Sequence, residues 1–172
     1  MASGNTLFYF TPQHGIPPAT LYAQQDVLVG TSTPAENIPV LAFDATTQEY
    51  VDFRGKMPQH YSGGGVTLVI CSGAATTTGG ITWEAAFRAI EDDTEDLDTT
   101  AHTYDYNSLD VATLPTVQGE VTYDNLTFAD GADMDNVGAG DEFILRITRN
   151  VADSNDTAAA DGFLLGVECR ES

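Results

Sequence analysis

The sequence predicts an all-β protein: an antiparallel β-sandwich of jelly-roll or Greek-key kind, led in by an extended N-terminal arm. Three observations point there. Apolar residues recur at every second position in 66–70, 81–89, 143–147 and 163–169, the period of an extended chain with one buried face. The segments between these runs are rich in Gly, Asp and Thr, residues that turn the chain or bond to its backbone. No segment carries an apolar stripe at helical spacing over three turns. The one ambiguous stretch is 83–92, where Ala, Glu and Arg favour helix. Its period-two pattern and its Gly79-Gly80 lead-in favour strand.

Residues 1–37 differ from the rest of the chain. Thr6-Leu-Phe-Tyr-Phe10 reads as a short strand, and Pro12, Pro17, Pro18 and Pro34 come after it in uncharged, polar surroundings. Proline fixes φ and lacks a donor, so this part cannot lie in the middle of a sheet. Its apolar residues are spread along an extended path, and Asp26 and Glu36 are its only acids. Two readings stay open: an arm that docks on another surface, or a strand and loop packed on the chain's own body.

The sandwich domain is expected over 38–172. Residues 38–44 and 49–53 read as two strands joined by a turn at 45–48. Val66, Leu68 and Ile70 share one face, as do Ile81, Trp83, Ala85, Phe87 and Ala89, with Thr82, Glu84 and Arg88 opposite. The nine small residues 72–80 between them suggest a hairpin with a long exposed tip. A weaker strand is expected at 108–114. In 116–128 the apolar positions shift from odd to even, which predicts a bulge near Asp124-Asn125. Residues 130–140 read as a turn-rich loop and 141–150 as a strong strand with Phe143, Leu145 and Ile147 inward. The last strand holds Phe163, Leu165, Val167 and Cys169 in alternation. Seven to nine strands result.

The 172 residues are enough for one domain with a real core. Six cations (Arg54, Lys56, Arg88, Arg146, Arg149, Arg170) stand against 26 acids, for a net charge of −20, and 20 of the acids lie from Glu91 onward. Such a surface repels phosphate, so neither nucleic acid nor anionic lipid is an expected partner. No run approaches the ~20 apolar residues of a membrane span. The N-terminus lacks a basic region and an apolar run of signal-peptide length, which places the chain on the cytoplasmic side of export. Cys71 and Cys169 read as buried thiols.

No catalytic, cofactor or metal site is expected. His14, His60 and His102 lie far apart, in no spacing that makes a metal site. No Gly-x-Ser-x-Gly elbow or phosphate-binding loop is present. Asp130, Asp133 and Asp135 sit in a glycine-containing loop but lack the closing glutamate of a calcium loop. The run Glu91-Asp-Asp-Thr-Glu-Asp-Leu-Asp98 is a second acidic cluster, and a weak divalent-cation site in either is open. The chain reads as a binding or structural protein and not an enzyme.

Met57-Pro-x-x-Tyr-x-Gly-Gly-Gly-x-Thr-Leu68 and a Trp-containing strand ending Phe87-Arg-Ala-Ile90 resemble small virion proteins of tailed bacteriophages. The likeness continues in Asp130-Gly-Ala-Asp-Met-Asp135, Ala139-Gly-Asp-Glu-Phe-Ile-Leu-Arg-Ile-Thr-Arg149 and the terminal Leu164-Leu-Gly-Val-Glu-Cys-Arg-Glu171. It covers 40–171 and implies a capsid decoration or cement protein, a homotrimer on the outer surface of the head that bridges major capsid subunits. Phe8, Tyr9, Phe10, Ile16, Leu21 and Tyr22 are then the candidate capsid contacts. The alternative is a fibre, spike or receptor module that binds glycan on an exposed aromatic platform, with Tyr104, Tyr106 and Tyr123 as candidates.

Overall fold

In the computed structural model the described residues are 4–92, 96–98, 102–108 and 111–172. Twelve strands form among them: β1 (Thr6–Phe10), β2 (Gln24–Val29), β3 (Asn37–Phe43), β4 (Tyr50–Lys56), β5 (Val66–Ala74), β6 (Gly80–Ile81), β7 (Trp83–Ile90), β8 (Asn107–Ser108), β9 (Ala112–Thr113), β10 (Thr122–Phe128), β11 (Glu142–Arg149) and β12 (Gly162–Glu171). Two sheets pack face to face as an antiparallel jelly-roll sandwich. The larger runs β10-β5-β12-β3-β2, and β1 takes the part of β12's edge that β3 leaves free. The smaller runs β4-β11-β7-β8, and β6 and β9 make a separate ribbon. Among the described residues no helix is long and apolar enough to cross a membrane.

From β3 onward the long strands β3, β4, β5, β7, β10, β11 and β12 alternate between the two sheets. Each connection is therefore an arch over the end of the sandwich. The hairpin expected around 72–80 is corrected on this ground: β5 pairs with β10 and β12, and β7 with β11 and β8. The alternating pattern marks a half-buried strand but is blind to which strand lies beside it. One polar contact ties the arch across the core, where the buried Trp83 Nε1 donates to Ser72 Oγ at 3.1 Å.

The inward positions are those the alternation names. Val66, Leu68, Ile70, Ile81, Trp83, Ala85, Phe143, Leu145 and Ile147 are all fully buried. Trp83 meets Phe43 edge to face at 5.1 Å, and Phe87 meets Phe128 in the same way. Cys71 and Cys169 are buried free thiols. On the opposite side, Arg88 of β7 and Thr82 just before the strand are also buried, and Glu84 is partly buried.

Two registers differ from expectation. β10 pairs with β5 without interruption from Thr122 to Phe128, so no bulge stands at 124–125; Leu126 and Phe128 point inward and Tyr123 outward. The odd-numbered apolar residues Val117 and Val121 precede the strand. The bulge lies in β12 between Leu164 and Gly166. It flips the alternation, so Leu164, Val167 and Cys169 are buried while Phe163 and Leu165 face outward.

Of the two readings of the N-terminal segment, 6–10 follows the second. β1 is a strand of the body's own sheet, with Leu7 and Phe10 buried and Phe8 packed on the core. Phe10 stacks on Phe53 at 5.1 Å with an interplanar angle of 11°. Ile16 and Tyr22 bridge to Asp52 and Tyr50, along the edge of β4, and β2 and β3 form a hairpin in which β2 is exposed while Val40, Leu41 and Phe43 of β3 are buried.

Candidate functional site

The outer face of the larger sheet grades from polar to apolar. Thr6, Arg170, Thr67 and Thr127 lie abreast at one end. The next outward row is Tyr9, Glu168, Val69 and Asn125, and after it Gly166, Cys71 and Tyr123. Beyond the β12 bulge, Phe163, Leu165 and Gly73 join Leu28, Ile38 and Val121 in an apolar groove of about 600 Å³.

Two tyrosines dominate the centre. Tyr123 is 68% exposed and Tyr9 52%. They stand on β10 and β1, three strand spacings or about 14 Å apart across the sheet. Tyr9 lies down across β12: a Cβ on Gly166 would overlap the Tyr9 hydroxyl, so glycine there is what lets the ring rest on the backbone. Tyr123 shares a hydrogen bond with the Cys71 thiol, and that bond raises the phenol above its ordinary range. Burial pushes the Cys71 thiol up, partly offset by the same bond. Tyr9 thus rests against the Gly166 backbone and Tyr123 stands beside Cys71, and both rings remain exposed on the same sheet face. At the rim Arg170 Nη2 donates to Glu168 Oε2 at 2.7 Å, and Thr6 Oγ1 donates to Glu168 Oε1. The Arg170 bond, then the Thr6 bond, holds the Glu168 carboxyl below its ordinary range.

Tyr104 and Tyr106 belong to a different cluster, on the outer face of the smaller sheet. Arg146 donates from Nε and Nη2 to the two oxygens of Asp52 at 2.6 and 2.8 Å. Its guanidinium stacks 4.0 Å from the centroid of the Tyr104 ring and 5.6 Å from that of Tyr50. Tyr106 lies 6.2 Å from Tyr104, and burial pushes its phenol up to about 12. The bond to Asp52 raises Arg146 against the opposing effect of burial. Both tyrosines are half-buried, and one face of Tyr104 is already occupied. This cluster fastens the 102–108 segment to the sheet. Of the three tyrosines read as a possible platform, the structure exposes only Tyr123, and it adds Tyr9 beside it.

The candidate capsid contacts separate. Phe10 is buried and Phe8 is partly buried and packed on the core, so both rings are used by the chain's own fold. Tyr9, Ile16, Leu21 and Tyr22 are exposed, but Tyr9 lies on the larger sheet and Ile16 and Tyr22 beside the smaller one. The alternation that revealed the strand at 6–10 does not tell which of its faces is covered.

Many carboxylates are spent on the fold itself. Asp44 accepts from Thr46 N, Thr46 Oγ1 and Thr47 N, each at 2.7 Å. Asp133 accepts from Ala129 N and Asn107 Nδ2, Asp135 from Ala89 N, and Asp130 from Tyr61 Oη. Among the described residues no group of three or more His, Cys, Asp or Glu is placed to hold a metal ion. Part of the acidic run from Glu91 lies outside the described residues.

No protein-family model and no curated protein matches this sequence. Solved structures do match in fold. The CBM22-1 xylan-binding domain of Xyn10C from Paenibacillus barcinonensis superposes with a TM-score of 0.53 at 8% identity, over 99% of this chain and 97% of that one. The C-terminal CBM6 of LamC, a laminarinase from Zobellia galactanivorans, covers 97% of this chain and 100% of its own at 10% identity, but its TM-score of 0.42 is too loose to add to this. The likeness is one of fold: a jelly-roll sandwich of the same extent.

Proposed function

We propose that this chain is a non-catalytic glycan-binding module, and that the glycan lies on the Tyr9–Tyr123 platform of the larger sheet. The observation that carries the reading is the pair of exposed tyrosines on one sheet face, with Tyr9 resting on the backbone at Gly166. A sugar ring presents a flat C–H face that packs on an aromatic face, while its hydroxyls need polar groups at the edge. Asn125, Thr127, Glu168 and Arg170 supply those groups around the rings. A neighbour of the same fold that binds xylan supports the reading.

Charge narrows the ligand. With a net charge of −20 the body repels polyanions, so the expected glycan is neutral rather than uronic or sulfated. Set beside the resemblance to virion proteins, the reading proposed is a receptor-binding part of a particle in preference to a clamp on its shell.

The test is affinity electrophoresis and calorimetry against a panel of neutral and acidic polysaccharides. Binding to at least one neutral polysaccharide is expected, weakened about tenfold each by Tyr9→Ala and Tyr123→Ala, as on the order of 1.4 kcal/mol of lost apolar contact requires. Tyr104→Ala should leave affinity unchanged provided the fold is intact. Retention of full affinity in the Tyr9→Ala, Tyr123→Ala double variant would sink the assignment of the platform.

A further inference from the structure

We infer that β2 is an open edge at which a second copy of this chain joins, so that two larger sheets run on as one. β2 closes the sheet and, among the described residues, is paired with β3 alone. Gly30 N donates to Glu36 O at 2.8 Å, which makes Leu28–Ile38, Asp26–Val40 and Gln24–Ala42 the hydrogen-bonded pairs of the hairpin. The backbone N–H and C=O of Gln25, Val27 and Val29 therefore point away from the sheet.

Exposed edges are normally blunted by proline, lysine, a bulge or very short length. β2 is six residues long, Gln-Gln-Asp-Val-Leu-Val, and its pairing with β3 runs without a shift. Val27 and Val29 are 44% and 64% exposed. The single guard is Asp26, whose Oδ1 accepts the outward N–H of Val27 at 2.7 Å. The apolar groove reaches this edge at Leu28 and Val29.

Charge and symmetry select a second copy as the occupant. Residues 1–43 hold two of the 26 acids, Asp26 and Glu36, so two bodies of −20 can approach here as at few other places. An antiparallel pairing about a two-fold axis at Leu28 sets Val27 against the other copy's Val29. Those are residues with outward backbone groups, so the two symmetric pairs make four hydrogen bonds. Asp26 then stands opposite Gly30, and no like charges meet. An axis of this kind is perpendicular to the sheet, so both outer faces look the same way. Two Tyr9–Tyr123 platforms would then be presented side by side, giving avidity on a repetitive surface.

The proposal does not depend on glycan binding, and it is tested by sedimentation equilibrium of the whole chain at low and high salt. A mass of twice 18.3 kDa is expected, with tighter association at high salt as the like charges are screened. Val27→Pro removes an outward donor without touching the β3 ladder, and Val29→Lys puts a charge on the edge. Each should weaken association at least tenfold while the far-ultraviolet circular dichroism stays unchanged. Asp26→Ala, which uncovers the Val27 N–H, should strengthen it. A chain that stays monomeric at high salt, a mass of three copies, or a dimer that survives both edge substitutions would overturn the proposal.

Discussion

Replacing Asp156 by Asn keeps the side chain's shape and removes its charge at the most enclosed ion pair among the described residues. Arg149 and Asp156 have side chains 0% and 2% exposed. Arg149 donates from Nε to Oδ2 at 2.9 Å and from Nη2 to Oδ1 at 2.7 Å. It also donates to the carbonyls of Ala160 and Ala158 at 2.9 and 2.7 Å, while Asp156 Oδ2 accepts from Thr82 N at 3.0 Å. One side-chain pair thus pins the 150–161 loop to the end of β7. In Asp156→Asn the guanidinium keeps two carbonyl acceptors but no counter-charge, and a buried cation without its partner costs about 3–5 kcal/mol. For a chain of this length, at roughly 2–4 °C per kcal/mol, melting should fall by about 6–20 °C. Guanidinium denaturation monitored by tryptophan fluorescence reads the loss directly, as a lower midpoint at unchanged slope. The double variant Arg149→Met, Asp156→Leu should be more stable than Asp156→Asn alone, because it strands no charge. If Asp156→Asn costs less than about 1 kcal/mol, the reasoning from enclosure is wrong.

Two smaller perturbations test the arches. Ser72→Ala removes the acceptor of the buried Trp83 N–H and should cost about 1–3 kcal/mol by the same denaturation assay, whereas Ser72→Thr, which keeps the hydroxyl, should cost less. At the turn between β3 and β4, the bonds from the Thr46 hydroxyl and backbone and from Thr47 lower the Asp44 carboxyl to about 2. Its folded value lies below the unfolded one, so its contribution is present above about pH 4 and is lost as the pH falls toward 2. Wild type should lose more stability between pH 4 and pH 2 than Asp44→Asn; equal losses would count against the assignment.

The alternation of apolar residues by itself determined that this chain is a β-sandwich, and it named most of the inward side chains. Burying one face of a strand is a local demand that a period of two satisfies, and Trp83, Phe87, Phe143 and Ile147 could be placed without knowing their neighbours. The acidic composition likewise weighs against a polyanionic partner. Pairing was not legible, because the hydrogen-bonding edge of a strand is the same backbone whatever its sequence. Only the tertiary structure put β5 and β7 in different sheets and turned the 72–80 hairpin into an arch. The β12 bulge, too, flips Phe163 and Leu165 to the outside with no mark that alternation could read.

The exposed tyrosine pair obeys the same rule. Tyr123 is one of the three tyrosines the sequence offers for a platform, whereas Tyr9 lies in an apolar run whose exposed face alternation does not mark. Which of Phe8, Tyr9 and Phe10 would be left exposed depended on the pairing of β1 with β12 and on Gly166, about 157 residues further along the chain, leaving space for a ring. Contacts so distant in sequence carry no local signature; the fold alone brings them together, and with them the surface on which function is proposed.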